Sequence, residues 1–197
     1  MSGGYPKGRI RREDLISAAA VVYGEAGYHG GSLREIAKRA GISHAGLLYH
    51  FPTKEALLAA VLERRDAEDA DREQLGVPPG LEVLRRFLTL AEHNARHPGI
   101  VDLYSRLAAE AVTPGHPAHE YFERHYRDAR HRVRDSLRVL ADTGELRPGV
   151  DPDEAALAFI ALMDGLQVQW LTTPSEVDLA GALRGFLQTL LTVPLQP

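Results

Sequence analysis

The chain has 197 residues, 44% of them hydrophobic, and a formal net charge of −4, which suits one sizeable domain or a small domain fused to a larger one with a buried core. It contains no cysteine, which excludes disulfides and thiol chemistry and fits a reducing cytoplasm. The opening MSGGYPKGRIRRE has no apolar stretch of signal type, and the longest apolar run, Ala155 to Met163, is nine residues, so neither a leader nor a membrane span is expected.

The charge is unevenly placed. Residues 1–54 carry eight Lys and Arg against four acids, a balance of +4, so the remainder sums to −8. A basic end on an acidic body is the footprint of a chain that meets a polyanion at one end. Gly-rich residues 1–8 lead into Arg9, Arg11 and Arg12, which would form either an arm reaching a phosphate or minor groove or a solubilising tail. The first helix is predicted from about Arg12 to Ala26, with Ile16, Ala19, Tyr23 and Ala26 on one stripe and Gly27 closing it.

From Ser32 to Glu55 the chain reads as two short helices joined by a tight turn. Leu33, Ile36, Ala37 and Ala40 recur at i, i+3, i+4 and i+7, the spacing that gathers apolar side chains on one helical face. Ser32 with Glu35 makes a capping box, and Gly41 supplies the positive φ of a helix end. Ser43 caps a second helix, His44 to about Phe51, in which Leu47 and Phe51 turn inward with Ile42. Its other face carries Ala45 and Tyr49, flanked by Gly46 and Leu48, with His44 in the first turn. Small residues let a backbone come close to a partner, and hydrogen-bonding ones suit flanking phosphates, as a recognition helix in a major groove requires. Lys54, past the Pro52 break, would meet a phosphate beside the N-terminus of the next helix. Candidate DNA-binding residues are therefore Ser32, Arg34, Ser43, His44, Ala45, Gly46, Tyr49, His50 and Lys54.

The series Gly27-Tyr28, Ser32-Leu33-Arg34-Glu35-Ile36-Ala37, Ala40-Gly41-Ile42-Ser43, Leu47, His50-Phe51, Lys54-Glu55 and Leu57 resembles the N-terminal signature of the TetR family of ligand-responsive transcriptional repressors. It departs at Gly31, where the family usually has Thr or Ser, at Ala45, where Gly is frequent, and at Leu48, where an aromatic is common, leaving Tyr49 to carry the aromatic contact to the DNA backbone. The resemblance implies a palindromic double-stranded DNA operator and a small-molecule inducer as partners.

A fourth helix, Thr53 to about Gln74, starts apolar with Ala56, Leu57, Ala60 and Val61 and ends charged, with Arg64 and Glu68, and Glu68 and Arg72, four apart. It is the expected mechanical link to the rest of the chain. After the break at Gly76-Val77-Pro78-Pro79-Gly80 the pattern is helical throughout: about Leu81 to Arg96, Ile100 to Val112, Ala118 to Asp142, Pro152 to Leu171 and Val177 to Thr192. Helix eight is apolar almost all round from Ala155 to Met163, and helix nine carries an unbroken apolar stripe, with Gly181 and Gly185 permitting close approach. This pair predicts a homodimer through the last two helices, as a four-helix bundle of two copies. Paired recognition helices would then lie about 34–36 Å apart.

Asn94, Tyr104, His125, Met163, Gln167 and Trp170 fall on stripes that face the interior and form the candidate inducer pocket, since a few convergent polar groups among aromatics are how small-molecule sites are built. Each alone serves equally as a satisfied core residue, and Trp170 suits a dimer core as well. His93 and His97 have metal-ligand spacing without a third ligand; they, with His116 and His119 in a turn, read as solvated, so no metal or cofactor is expected. No phosphate-cradling loop, G-x-S-x-G elbow or H-E-x-x-H is present, and enzyme activity has no support. The expectation is an all-α protein of about nine helices, with a three-helix DNA-binding domain at 9–54 and a larger ligand-binding and dimerisation domain at 55–197. A ligand sensor acting through a protein partner, or an activator of the same fold, is the alternative.

Overall fold

The computed structural model describes residues 5–73 and 77–195, with side chains at 12–65, 67 and 77–195. The side chains of Arg9 and Arg11, the pairs of Glu68 with Arg64 and Arg72, and residues 74–76 lie outside what is described. Among the described residues there are nine helices and no strand: α1 Tyr5–Gly30, α2 Leu33–Arg39, α3 His44–His50, α4 Lys54–Glu73, α5 Leu81–Ala95, α6 Pro98–Ala111, α7 His119–Asp142, α8 Pro152–Thr172 and α9 Leu179–Leu190. One isolated antiparallel bridge joins Leu146 to Leu191.

Three helix starts differ from the apolar spacing: α1 begins at Tyr5 instead of about Arg12, so its backbone takes in Arg9 and Arg11 of the expected arm, and α6 and α9 start elsewhere for local reasons. At the other end α1 is broken at Gly27 (φ 70°, ψ 174°), where its close was expected, and Tyr28 to Gly30 form a separate turn. Pro98 and Gly99 belong to the first turn of α6, where amides have no intrahelical acceptor and a proline loses nothing. Helix α9 starts at Leu179 because the Asp178 carboxylate accepts the Gly181 amide at 2.9 Å. A Cβ at Gly181 would collide with that carboxylate, so this glycine serves the cap.

The chain divides into two compact units, residues up to Ala67 with Asp102–Tyr121, and Glu68–Val101 with Phe122 onward. The first therefore extends beyond residue 54 to take in most of α4, most of α6 and the first residues of α7. Its core holds Leu15, Ile16, Tyr23, Ile36, Leu47, Leu57 and Leu107, all at 0–1% exposure, where each side chain contributes about 1.5–3 kcal/mol by leaving water. Ala26 is exposed; past the break at Gly27 the next buried ring is Tyr28, tilted on Tyr23 at 5.8 Å.

In the second unit α5, α7, α8 and α9 share one core, with Phe159 edge-on to Phe87 at 5.6 Å and stacked on Phe186 at 6.4 Å. Trp170 is buried in this core. Helix α8, 21 residues long, is apolar enough by length and composition to cross a membrane, more than its nine-residue apolar run suggested. Ala155, Ala156, Phe159, Ile160 and Trp170 bury one side of it, while Leu157, Ala158, Ala161, Gly165 and Val168 are exposed on the other.

Candidate nucleic-acid interface

Two short helices of seven residues each would be marginal alone, and closed hydrogen bonds at their ends hold them. The Ser32 hydroxyl accepts the Arg34 amide at 3.2 Å, one residue earlier than the expected box with Glu35 would place it. At the other end of α2 the Ile42 amide returns to the Ala37 carbonyl at 3.0 Å and the Gly41 amide to Lys38 at 3.1 Å, with Gly41 at φ 69°. This paired closure is the Schellman motif, which needs a left-handed residue where Gly41 stands. Ser43 then caps α3, its hydroxyl accepting the Gly46 amide at 3.0 Å. A Cβ on Gly46 would lie 3.3 Å from that hydroxyl, so the cap as well as any close approach favours glycine here.

Helix α3 is held by Leu47 at 0% exposure and its end by Phe51 at 3%, while Tyr49 on the opposite side is 86% exposed. His44 and Ala45 are exposed, Gly46 and His50 half-buried, and Ser32, Arg34 and Ser43 exposed. The guanidinium of Arg39 grips Glu25 through two bonds of 2.7 and 3.1 Å, tying the end of α2 to α1 and holding the Glu25 carboxyl below its usual range. Arg12 lies 5.0 Å over the Phe51 ring. Lys54 is half-buried: its Nζ donates to the His29 carbonyl at 3.3 Å and sits 4.5 Å over the Tyr28 ring, and burial pulls its pKa down.

Behind this surface is a cluster that sequence spacing did not reveal. His116, read as a solvated turn residue, is 6% exposed and packs edge-on to Tyr28 at 5.0 Å and His29 at 5.5 Å. Ligand atoms of His29, Glu110 and His116 lie within 4.8 Å of one another, a grouping that could hold a metal by distance. The protonation of His116 opposes that use. Its Nδ1 accepts the Ala118 amide at 3.1 Å, so the neutral ring carries its proton on Nε2, whereas an Nε2 metal ligand needs Nδ1–H as donor. Nε2 stands 3.6 Å from the Glu110 carboxylate. His29, at the end of α1, is more than 80 residues before Glu110 and His116, which is beyond any local pattern. His93 and His97 stack at 4.0 Å, with His97 Nδ1 bonded to the His93 carbonyl at 2.8 Å.

The candidate inducer set is divided. Tyr104 belongs to the first unit, where its hydroxyl pairs with that of Tyr121 at 2.5 Å and Arg65 lies 5.4 Å over its ring. In the second unit Asn94 is buried, Met163 and Gln167 are half-buried, Trp170 is core, and His125 is edge-on to Phe122 and Tyr126 at 6.2 and 5.7 Å. The structure adds Asp164, whose carboxylate takes the Tyr126 hydroxyl; burial raises its pKa, while that bond and nearby His125 act the other way.

Residues 15–61 match the family model for bacterial regulatory proteins of the tetR family, and residues 82–192 that for the C-terminal domain of BetI-type transcriptional repressors. The A-factor receptor protein of Streptomyces griseus is 29% identical over 171 residues, which cover 85% of this chain and 57% of that protein, so the chain spans little more than half its length. The transcriptional repressor KstR2 of Mycobacterium tuberculosis is 28% identical over 169 residues, 81% of this chain and 80% of that one. A structure of the SmeT–triclosan complex superposes with a TM-score of 0.78 at 22% identity, covering 95% of each chain, and so shares the fold. With the C-terminal match alone spanning more than half the residues, the chain belongs to the TetR family of bacterial regulatory proteins.

Proposed function

We propose that the chain is a homodimeric DNA-binding transcriptional regulator, a repressor released from a palindromic operator when a small molecule occupies its second unit, working in the cytoplasm by binding rather than catalysis. One observation carries this: α3 is anchored by Leu47 and Phe51 and turns Tyr49, His44 and Ala45 outward, a short helix with its back buried and a small, hydrogen-bonding front. Relatives named as a receptor protein and as a transcriptional repressor support the ligand-responsive part. The exposed apolar side of α8, with Leu157 and Val168 55% and 54% exposed, is the face offered to a second copy. For the inducer, the second-unit members of the candidate set, Asn94, His125, Met163, Gln167 and Trp170, are joined by Tyr126 and Asp164. A coupling of about 1–3 kcal/mol between ligand and operator would be typical of such a switch. Selection of bound sites from random duplex DNA tests the proposal. A two-fold site with half-sites about one helical turn apart is expected, and no preference for any duplex at low ionic strength would overturn it.

A further inference from the structure

We infer that Glu110 is a positioning residue for operator binding: carried on α6, its carboxylate holds the broken end of α1 and, through Tyr28 and His29, the first turn of α4. This rests on the operator-binding reading above. The break at Gly27 leaves the Tyr28 amide without a helical acceptor, and Glu110 Oε2 takes it at 3.0 Å. The carboxylate acts as a capping group supplied by a distant helix. Gly27 is needed twice over, for its φ of 70° and because a Cβ there would collide with that carboxylate.

From this capped turn two ties run to α4. The Tyr28 hydroxyl donates to Glu55 Oε1 at 2.8 Å, and Lys54 Nζ reaches the His29 carbonyl at 3.3 Å while lying over the Tyr28 ring. Lys54 and Glu55 are the first residues of α4, and only residues 51–53 separate them from α3. A shift of the Tyr28–His29 turn is thus carried to the end of the recognition helix within one short connection. Helix α6 starts in the second unit and ends in the first, so its position is read at Glu110. A competing donor is at hand: His116 Nε2, buried and without a hydrogen-bond partner, waits 3.6 Å from the same carboxylate oxygen. Movement of the carboxylate towards it would trade the α1 bond for one within the α6–α7 turn.

The test uses the full chain and its selected operator. Glu110→Ala should bind about tenfold more weakly, and the Tyr28 amide should exchange hydrogen at least tenfold faster. Glu110→Gln keeps a carbonyl acceptor and should stay within about threefold of the parent affinity. Gly27→Ala should cost less affinity in the Glu110→Ala background than alone, since the collision is then gone. Parent-like operator affinity of Glu110→Ala, an unchanged Tyr28 exchange rate, or strict additivity with Gly27→Ala would each overturn the assignment. If the parent chain selects no duplex site, operator binding itself fails instead.

Discussion

Single residues here take roles that their chain neighbours do not announce. His116 sits between Gly115 and Pro117, yet burial pushes its pKa below the ordinary 6.5; His29 and His119 push the same way and Glu110 opposes. The unfolded chain therefore binds a proton that the folded one refuses, so this contribution to stability is whole above pH 6.5 and declines as the pH falls below it. Urea unfolding at about pH 7.5 and about pH 5.5 should show a loss on acidification that His116→Gln reduces. On the proposed DNA face, His44→Ala is expected to change which sites are selected; identical site preference would remove it from base contact. Lys54→Ala should weaken binding to all sequences and lower the salt slope by about one. An unchanged slope would mean that its bonds to His29 and Tyr28 are its whole role.

At the scale of elements, α2 and α3 are too short to persist on propensity, so their caps and buried anchors decide whether the motif exists. Ser43→Ala removes the bond to the Gly46 amide and should cost about 0.5–2 kcal/mol, read from urea midpoints. Leu47→Ala, at a position with no exposure, should cost about 2–5 kcal/mol and take operator binding with it. The turn chemistry was legible from Ser32, Gly41 and Ser43 because capping is local. The α1 break could be placed at Gly27 but not explained, since the group that satisfies it comes from Glu110 on another helix.

For the whole molecule, the proposed dimer puts the outward apolar side of α8 against the partner copy. Leu157→Glu should leave the fold intact, shift sedimentation from dimer to monomer, and weaken operator binding, because one recognition helix then acts without its twin. An unaltered sedimentation coefficient would place the dimer face elsewhere. Trp170, which suited either a pocket or a dimer core by spacing, is buried within the core cluster of the second unit. Periodicity identifies a buried side; it does not say whether the cover comes from the same chain.

Sequence alone determined the helical class, the two-helix motif with its caps, the basic end and the apolar last pair, because each depends on spacing within a few turns. Only the tertiary structure decided that Glu110 and His116 meet the end of α1, that Lys54 is drawn back onto Tyr28, and that Asp164 lies against Tyr126. Those pairings join residues far apart in the chain, and what selects them is the packing of whole helices, which no local pattern encodes.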